Sequence, residues 1–172
     1  MDKDILNLIT LCFVVIILLI ILFSFSYQPR TIEPQREGLG LPRISKQMRL
    51  ADYFDVQDMT LYIGKGCKAI PMIISDTQAI SIQSALVNKT GFRPVTHDLF
   101  VSLLENFEII LERAEIIKLE DNTYFARILF RKGNKILELD SRPSDSVALA
   151  LRTNSPVYIN ETLLEEWAVE VC

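Results

Sequence analysis

The sequence predicts an α+β domain, a single mixed, largely antiparallel sheet with packed helices, preceded by an N-terminal transmembrane helix. Three observations predict it: one uncharged apolar run near the start, strand-like runs separated by turn residues, and three segments carrying helix-start chemistry. With 172 residues, 49% of them hydrophobic, the chain can bury one proper core but hardly two.

The apolar run is Ile5 to Phe25, ILNLITLCFVVIILLIILFSF, which carries no charge. At about 1.5 Å of rise per residue it is long enough for the ~30 Å hydrocarbon core of a bilayer. A cleaved secretory signal is the rival reading, and Ser24-Phe25-Ser26 offers small residues for it. Against it, MDKD is not a basic leader and the run exceeds the roughly 7 to 15 residues of a signal core. A lipoprotein is disfavoured because Cys12 lies mid-run behind bulky Leu11. The expected organisation is therefore residues 1–4 outside the cytoplasm, a single span over 5–26 embedded in lipid, a flexible basic tether over 27–49 and a domain over 50–172.

Orientation is read from flanking bases. Lys3 alone precedes the span, whereas Arg30, Arg36, Arg43, Lys46 and Arg49 follow it, so the domain is expected on the cytoplasmic side. Cys67 and Cys172, the only cysteines beyond the span, do not announce a disulfide framework. From Gln28 to Leu50, five bases and two acids give +3, a charge suited to anionic headgroups or simply to a solvated linker. Residues 51–172 hold 12 bases and 18 acids, a net −6 that argues against tight binding of long polyanions. Any contact with DNA or RNA has to be local, transient or metal-assisted.

Within the domain, Thr60–Ile63 and Lys68–Ile74 alternate around Gly64-Lys65-Gly66 and predict a hairpin. Ser75 and Gln78 form a capping box that opens a helix to about Asn88. A second helix starts at Thr96 as N-cap, with Asp98 in its first turn and Leu99, Phe100, Leu103, Leu104 and Phe107 as a core stripe. Three strands follow as an antiparallel meander, 109–119, 123–131 and 135–140, separated by Glu120-Asp121-Asn122 and Lys132-Gly133-Asn134.

The stretch DSRPSDSVALALRTNSPVYI, residues 140–159, opens the third helix. A residue before proline avoids helical angles, so Arg142 is the expected N-cap, Pro143 the first helical residue and Asn154 the left-handed stop. Capping accounts for Pro143, Ser144 and Asp145, the last worth roughly 0.3–1 kcal/mol through the helix dipole. It leaves Arg142, Glu138 and Asp140 unexplained. Carboxylates beside an arginine and free helix amides suit phosphate-ester chemistry. An Asp140–Arg142 pair that merely pins strand to helix is the other reading.

The segments PMIISDTQAISIQSAL, RPVTHDL, NTYFARILF and DSRPSDSVALALRTNSPVYI resemble the bifunctional nuclease domain family over about residues 50–168. Ser141 stands where alanine is usual, Tyr124-Phe125 reverses an aromatic pair and Ser75 replaces a common glycine. The resemblance implies an α+β nuclease acting on DNA and RNA, and it singles out His97, Asp98, Asp140, Arg142, Ser144 and Asp145.

The expected chemistry is phosphodiester hydrolysis with little sequence specificity. A divalent metal, Mg²⁺ or Mn²⁺, would rest on Asp140 with Asp98 or Asp145. Arg142 and Ser144 would bind the phosphate, and His97, the only histidine, would move a proton. The competing view of His97 is a first-turn residue hydrogen-bonded to a nearby carboxylate. No P-loop, dinucleotide turn or zinc-spaced cysteine pair offers another chemistry. The alternative from a different class is a non-catalytic, membrane-tethered binding or scaffolding module, with Trp167 as an anchor in a homo-oligomer or within its own fold.

Overall fold

The computed structural model describes residues 15–19, 41–89 and 91–172. Residues 15–19 are helical. Among the described residues no helix is long and apolar enough to cross a membrane, and most of the expected span and tether lies outside them.

The domain is α+β, but its strands form two sheets where one was expected. In chain order the elements are β1 (Met48–Leu50), β2 (Tyr53–Gln57), β3 (Thr60–Lys65), β4 (Lys68–Ile73), α1 (Asp76–Leu86), α2 (Thr96–Asn106), β5 (Ile110–Glu120), β6 (Thr123–Lys132), β7 (Lys135–Ser141), α3 (Pro143–Arg152), β8 (Val157–Asn160), α4 (Glu161–Glu166) and β9 (Val169–Glu170). One sheet has the order β1-β8-β5-β6-β7, the other β2-β3-β4-β9. The first is mixed because β8 runs parallel to β5 while the meander β5-β6-β7 is antiparallel.

Strand pairing begins at Met48, inside the segment expected to be tether. Arg49 there donates to Glu161 at 2.8 Å, tying β1 to the start of α4. The β2–β3 hairpin turns at Asp58 and Met59, both at positive φ, and the β5–β6 hairpin turns at Asp121 and Asn122 in the same way. Two successive positive φ values mark the type I′ turn that matches strand twist. Gly64 is required by space: a Cβ there would lie 2.0 Å from the Lys68 carbonyl oxygen.

Helix α3 is the centre of the core. Seven of its residues are buried, among them Val147, Ala148 and Ala150, and their small size lets it pack on β5 and β6 while α1 and α2 pack on it. The α1 capping box forms as expected, with Ser75 N donating to Gln78 Oε1 at 2.9 Å. The start of α2 differs: Val95 is the N-cap, and Asp98 accepts from its amide at 3.0 Å.

The α2 stripe expected in the core is largely outside it. Leu104 alone is buried, whereas Leu99, Leu103 and Phe107 are 66%, 48% and 58% exposed. Periodicity identifies an apolar face but not what covers it. Phe100 reaches inward only far enough to meet the Phe130 ring at 6.0 Å.

Cys67 and Cys172 form a disulfide, contrary to the expectation from sequence. They meet because β9 pairs with β4, and Val171 N donates to Cys67 O at 2.9 Å. Sequence separation concealed this proximity.

Candidate active site at the start of helix α3

Pro143 holds Arg142 in extended backbone, φ −73° and ψ 143°, and Ser146 N closes the first helical bond on Arg142 O at 3.0 Å. One turn on, Asp145 faces back toward its N-cap. Arg142 Nε donates to Asp145 Oδ2 at 2.7 Å and Arg142 Nη2 to Oδ1 at 3.3 Å, so the arginine pairs with Asp145 rather than Asp140. His97, the second residue of α2, sets Nε2 3.4 Å from Asp145 Oδ1. Its Nδ1 lies 2.9 Å from Ser81 Oγ on α1. Three helices thus bring a hydroxyl, an imidazole, a carboxylate and a guanidinium into one chain of contacts.

Burial grades this chain from inside to outside. Ser81 is buried, Asp145 and His97 are partly covered, and the Arg142 side chain is 72% exposed. A Ser81 nucleophile is excluded for a polymeric substrate because solvent hardly reaches it. The His97 hydrogen bond, and after it Arg142, hold the Asp145 carboxyl below its ordinary range despite the opposing effect of burial. Asp145 therefore stays anionic and orients both the Arg142 guanidinium and the His97 ring. The 3.4 Å separation is long for a hydrogen bond, so Nε2 is the ring nitrogen more readily yielded to a substrate.

Asp98 is adjacent in sequence but engaged elsewhere. Its Oδ1 accepts from Arg152 Nε at 2.7 Å and its Oδ2 from Val95 N at 3.0 Å, which caps α2 and fastens it to α3. Burial pushes its carboxyl up, and the Arg152 hydrogen bond, the Val95 amide and the neighbouring cations outweigh that and lower it.

Asp140 is not part of the cluster. It stands opposite Arg127 in β6, on the sheet face where Arg127 binds Glu138 at 2.8 Å. Ser141 takes the other face and meets Ser146 Oγ at 2.6 Å. The expected Asp140–Asp145 metal pair is thus divided between two faces, and Asp98 has both oxygens engaged. Among the described residues no three His, Cys, Asp or Glu side chains are grouped to hold a metal ion. The two carboxylates expected to hold a divalent metal as a pair, Asp140 and Asp145, are therefore not assembled as one.

Ser144 is buried, and its hydroxyl accepts from Gln78 Nε2 at 2.9 Å. Beside it opens a cleft of about 520 Å³, bounded by Met72, Ile73, Tyr124, Arg142, Ser144 and Trp167. Arg142 is shared between this cleft and the His97–Asp145 cluster. Sequence reasoning missed Ser81, Arg152 and Tyr124 as parts of this region, assigned Gln78 to capping alone and left Trp167 between an oligomer interface and its own fold. The Arg-Pro dipeptide located the site, but nothing in α1 signalled that Ser81 would meet His97.

Residues 59–171 match the family described as the bifunctional nuclease domain. An uncharacterized protein of Mycobacterium tuberculosis is 33% identical over 101 residues, which cover 59% of this chain and 60% of that protein. The protein named Bifunctional nuclease 1 of Oryza sativa subsp. japonica is 26% identical over 97 residues, 55% of this chain and 29% of its own length. Its Arabidopsis thaliana namesake is 24% identical over 97 residues, 55% and 30% of the respective lengths. The match therefore spans 60% of the mycobacterial protein and under a third of the plant ones. The family match takes in α1, α2 and the Arg142 helix start together, all the elements that build the cluster and its cleft, and by it this chain belongs to the bifunctional nuclease domain family.

Proposed function

We propose that the protein is a membrane-anchored nuclease that hydrolyses phosphodiester bonds in RNA, DNA or both with little sequence specificity. The observation that carries this is the His97–Asp145–Arg142 cluster at the α3 N-terminus. Arg142, oriented by Asp145 and open to solvent, binds the phosphate through the guanidinium edge that Asp145 leaves free. Neutral His97 withdraws a proton from attacking water, or protonated His97 supplies one to the leaving oxygen, once Nε2 exchanges Asp145 for substrate. Ser81 keeps the ring in place. Since the carboxylates do not fit a metal pair, no step is routed through one, and metal dependence enters as an arm of the test.

Anchoring rests on the apolar run at 5–26, and the bases after it favour a cytoplasmic domain. The Cys67–Cys172 disulfide favours an oxidising compartment. Reporter fusions at the C-terminus decide between these.

The test uses the full chain in mild detergent, with labelled single-stranded RNA and DNA, in Mg²⁺, in Mn²⁺ and with chelator. His97→Ala is expected to slow cleavage about 10²- to 10⁴-fold while circular dichroism stays unchanged. A parent that cuts nothing, or a His97→Ala variant that cuts equally well, overturns the reading.

The second reading, a binding or scaffolding module, is favoured by one specific observation. Leu99, Leu103 and Phe107 form an exposed apolar stripe along α2, suited to a partner or a second copy of the chain. Sedimentation of the parent against Leu103→Glu tests it.

A further inference from the structure

The cleft beside Arg142 takes no part in the proton transfer above, and its walls combine three kinds of group. Tyr124 and Trp167 supply aromatic rings beside apolar Met72 and Leu119. Asn122, at the tip of the β5–β6 turn, supplies an amide, and Ser144 a hydroxyl whose proton remains free to donate after it accepts from Gln78. At the rim, Arg142 spends Nε and one N–H of Nη2 on Asp145, and among the described residues Nη1 has no hydrogen-bond partner. Flat aromatic walls, an amide edge and a cation at the mouth match the base, the base edge and the phosphate of one nucleotide.

Charge limits how much more of a strand could bind. The domain carries a net −6, and Arg113, Arg127, Arg131 and Arg152 are all in ion pairs with Glu or Asp. Those pairs take four of the domain's twelve bases away from a long backbone track, which draws its affinity from bases on phosphates. A cleft of about 520 Å³ lies in the usual range for a small ligand, roughly 300–1,000 Å³.

We infer that this cleft is a single-nucleotide pocket, taking one unstacked base against Tyr124 and Trp167 with its phosphate on Arg142. The inference rests on the nuclease reading for the choice of a nucleotide, and it makes that enzyme one that grips a single nucleotide instead of a long backbone.

Trp167 is the only tryptophan, so its fluorescence reports the pocket directly. The full chain in mild detergent is titrated with AMP, with adenosine and with inorganic phosphate. AMP is expected to quench saturably, adenosine to bind roughly 10- to 100-fold more weakly, and phosphate alone to leave the signal unchanged. Arg142→Ala should bring AMP down to the affinity of adenosine. Tyr124→Ala should weaken both roughly 5- to 150-fold. Ile73 is 93% exposed, so Ile73→Glu spares the fold while setting an acid at the cleft, and it should weaken AMP more than adenosine.

Absence of saturable quenching, equal quenching by phosphate, or an AMP affinity that all three variants leave unchanged overturns the pocket. Its failure is separable from that of the nuclease. A chain that binds AMP but cleaves nothing keeps the pocket and loses the enzyme; a chain that cleaves but binds no nucleotide keeps the enzyme and loses the pocket.

Discussion

Two carboxylates of the domain each hold two basic side chains, one within the central sheet and one in the first turn of α3. In the sheet, Glu115 accepts from Arg113 and from Arg127 Nε at 2.6 Å; Arg127 continues to Glu138, and Arg113 Nη2 donates to Pro42 O at 2.7 Å. At the helix start, Asp145 holds Arg142 and His97. The components are nearly the same and the burial is not. The Glu115 side chain is 1% exposed and Arg113 6%, whereas Arg142 is 72% exposed. A saturated, buried cluster can only hold strands together. A cluster with an open guanidinium can still acquire a partner.

Removing one carboxylate from each cluster tests that contrast most strongly. Glu115→Gln leaves the buried Arg113 facing a neutral group, while Arg127 keeps Glu138 and solvent, and is expected to cost about 3 kcal/mol in urea unfolding. Asp145→Asn, with solvent at hand, should cost about 1 kcal/mol or less while abolishing most cleavage. If both lose the same stability, burial is not what divides the two clusters.

The next effect sharpens the contrast at the wall of the cleft. Cys172 follows β9, and Trp167 lies between α4 and β9, so the Cys67–Cys172 bond closes the loop that carries the ring. Reduction with dithiothreitol is expected to lower unfolding stability by about 2–4 kcal/mol. Amide exchange should accelerate first at Val169 and Val171, whose strand the bond secures. Unchanged exchange there would separate the disulfide from the cleft.

Legibility in the sequence followed locality. The α1 capping box, the Arg142-Pro143 helix start and the Asn154 stop at φ 51° are each determined within a few residues, and each was readable. The meander was readable because Lys132-Gly133-Asn134 and Asp121-Asn122 bound it. The second sheet was not, because β2 turns through Asp58-Met59, a positive-φ pair without glycine or asparagine. The disulfide, the Ser81–His97 contact and the division of Asp140 from Asp145 depend on which faces of distant elements meet. Asp98 and Asp145 are both acids in the first turn of a helix, and only packing makes one a fastening and the other a site.

That last pair gives the smallest effect and the most discriminating one. Both carboxyls are held below their ordinary value of 3.8 in the folded protein, Asp145 chiefly by His97 and Asp98 by Arg152 against its burial. A lowered folded pKa contributes stability that is complete above the unfolded value and is lost as pH falls through the folded one. Stability should therefore be level above about pH 5 and decline below about pH 4. Asp98→Asn keeps an oxygen for the Val95 amide and loses the charge facing Arg152, so it should cost about 1.5 kcal/mol at neutral pH. The gap to the parent should close toward pH 2, because the protonated parent has lost the same charge. Asp145→Asn should follow the same course at smaller amplitude, since water already screens its arginine. A gap that stays constant from pH 7 to pH 2 would mean that Asp98 acts through shape and hydrogen bonding alone, and that charge distinguishes neither acid.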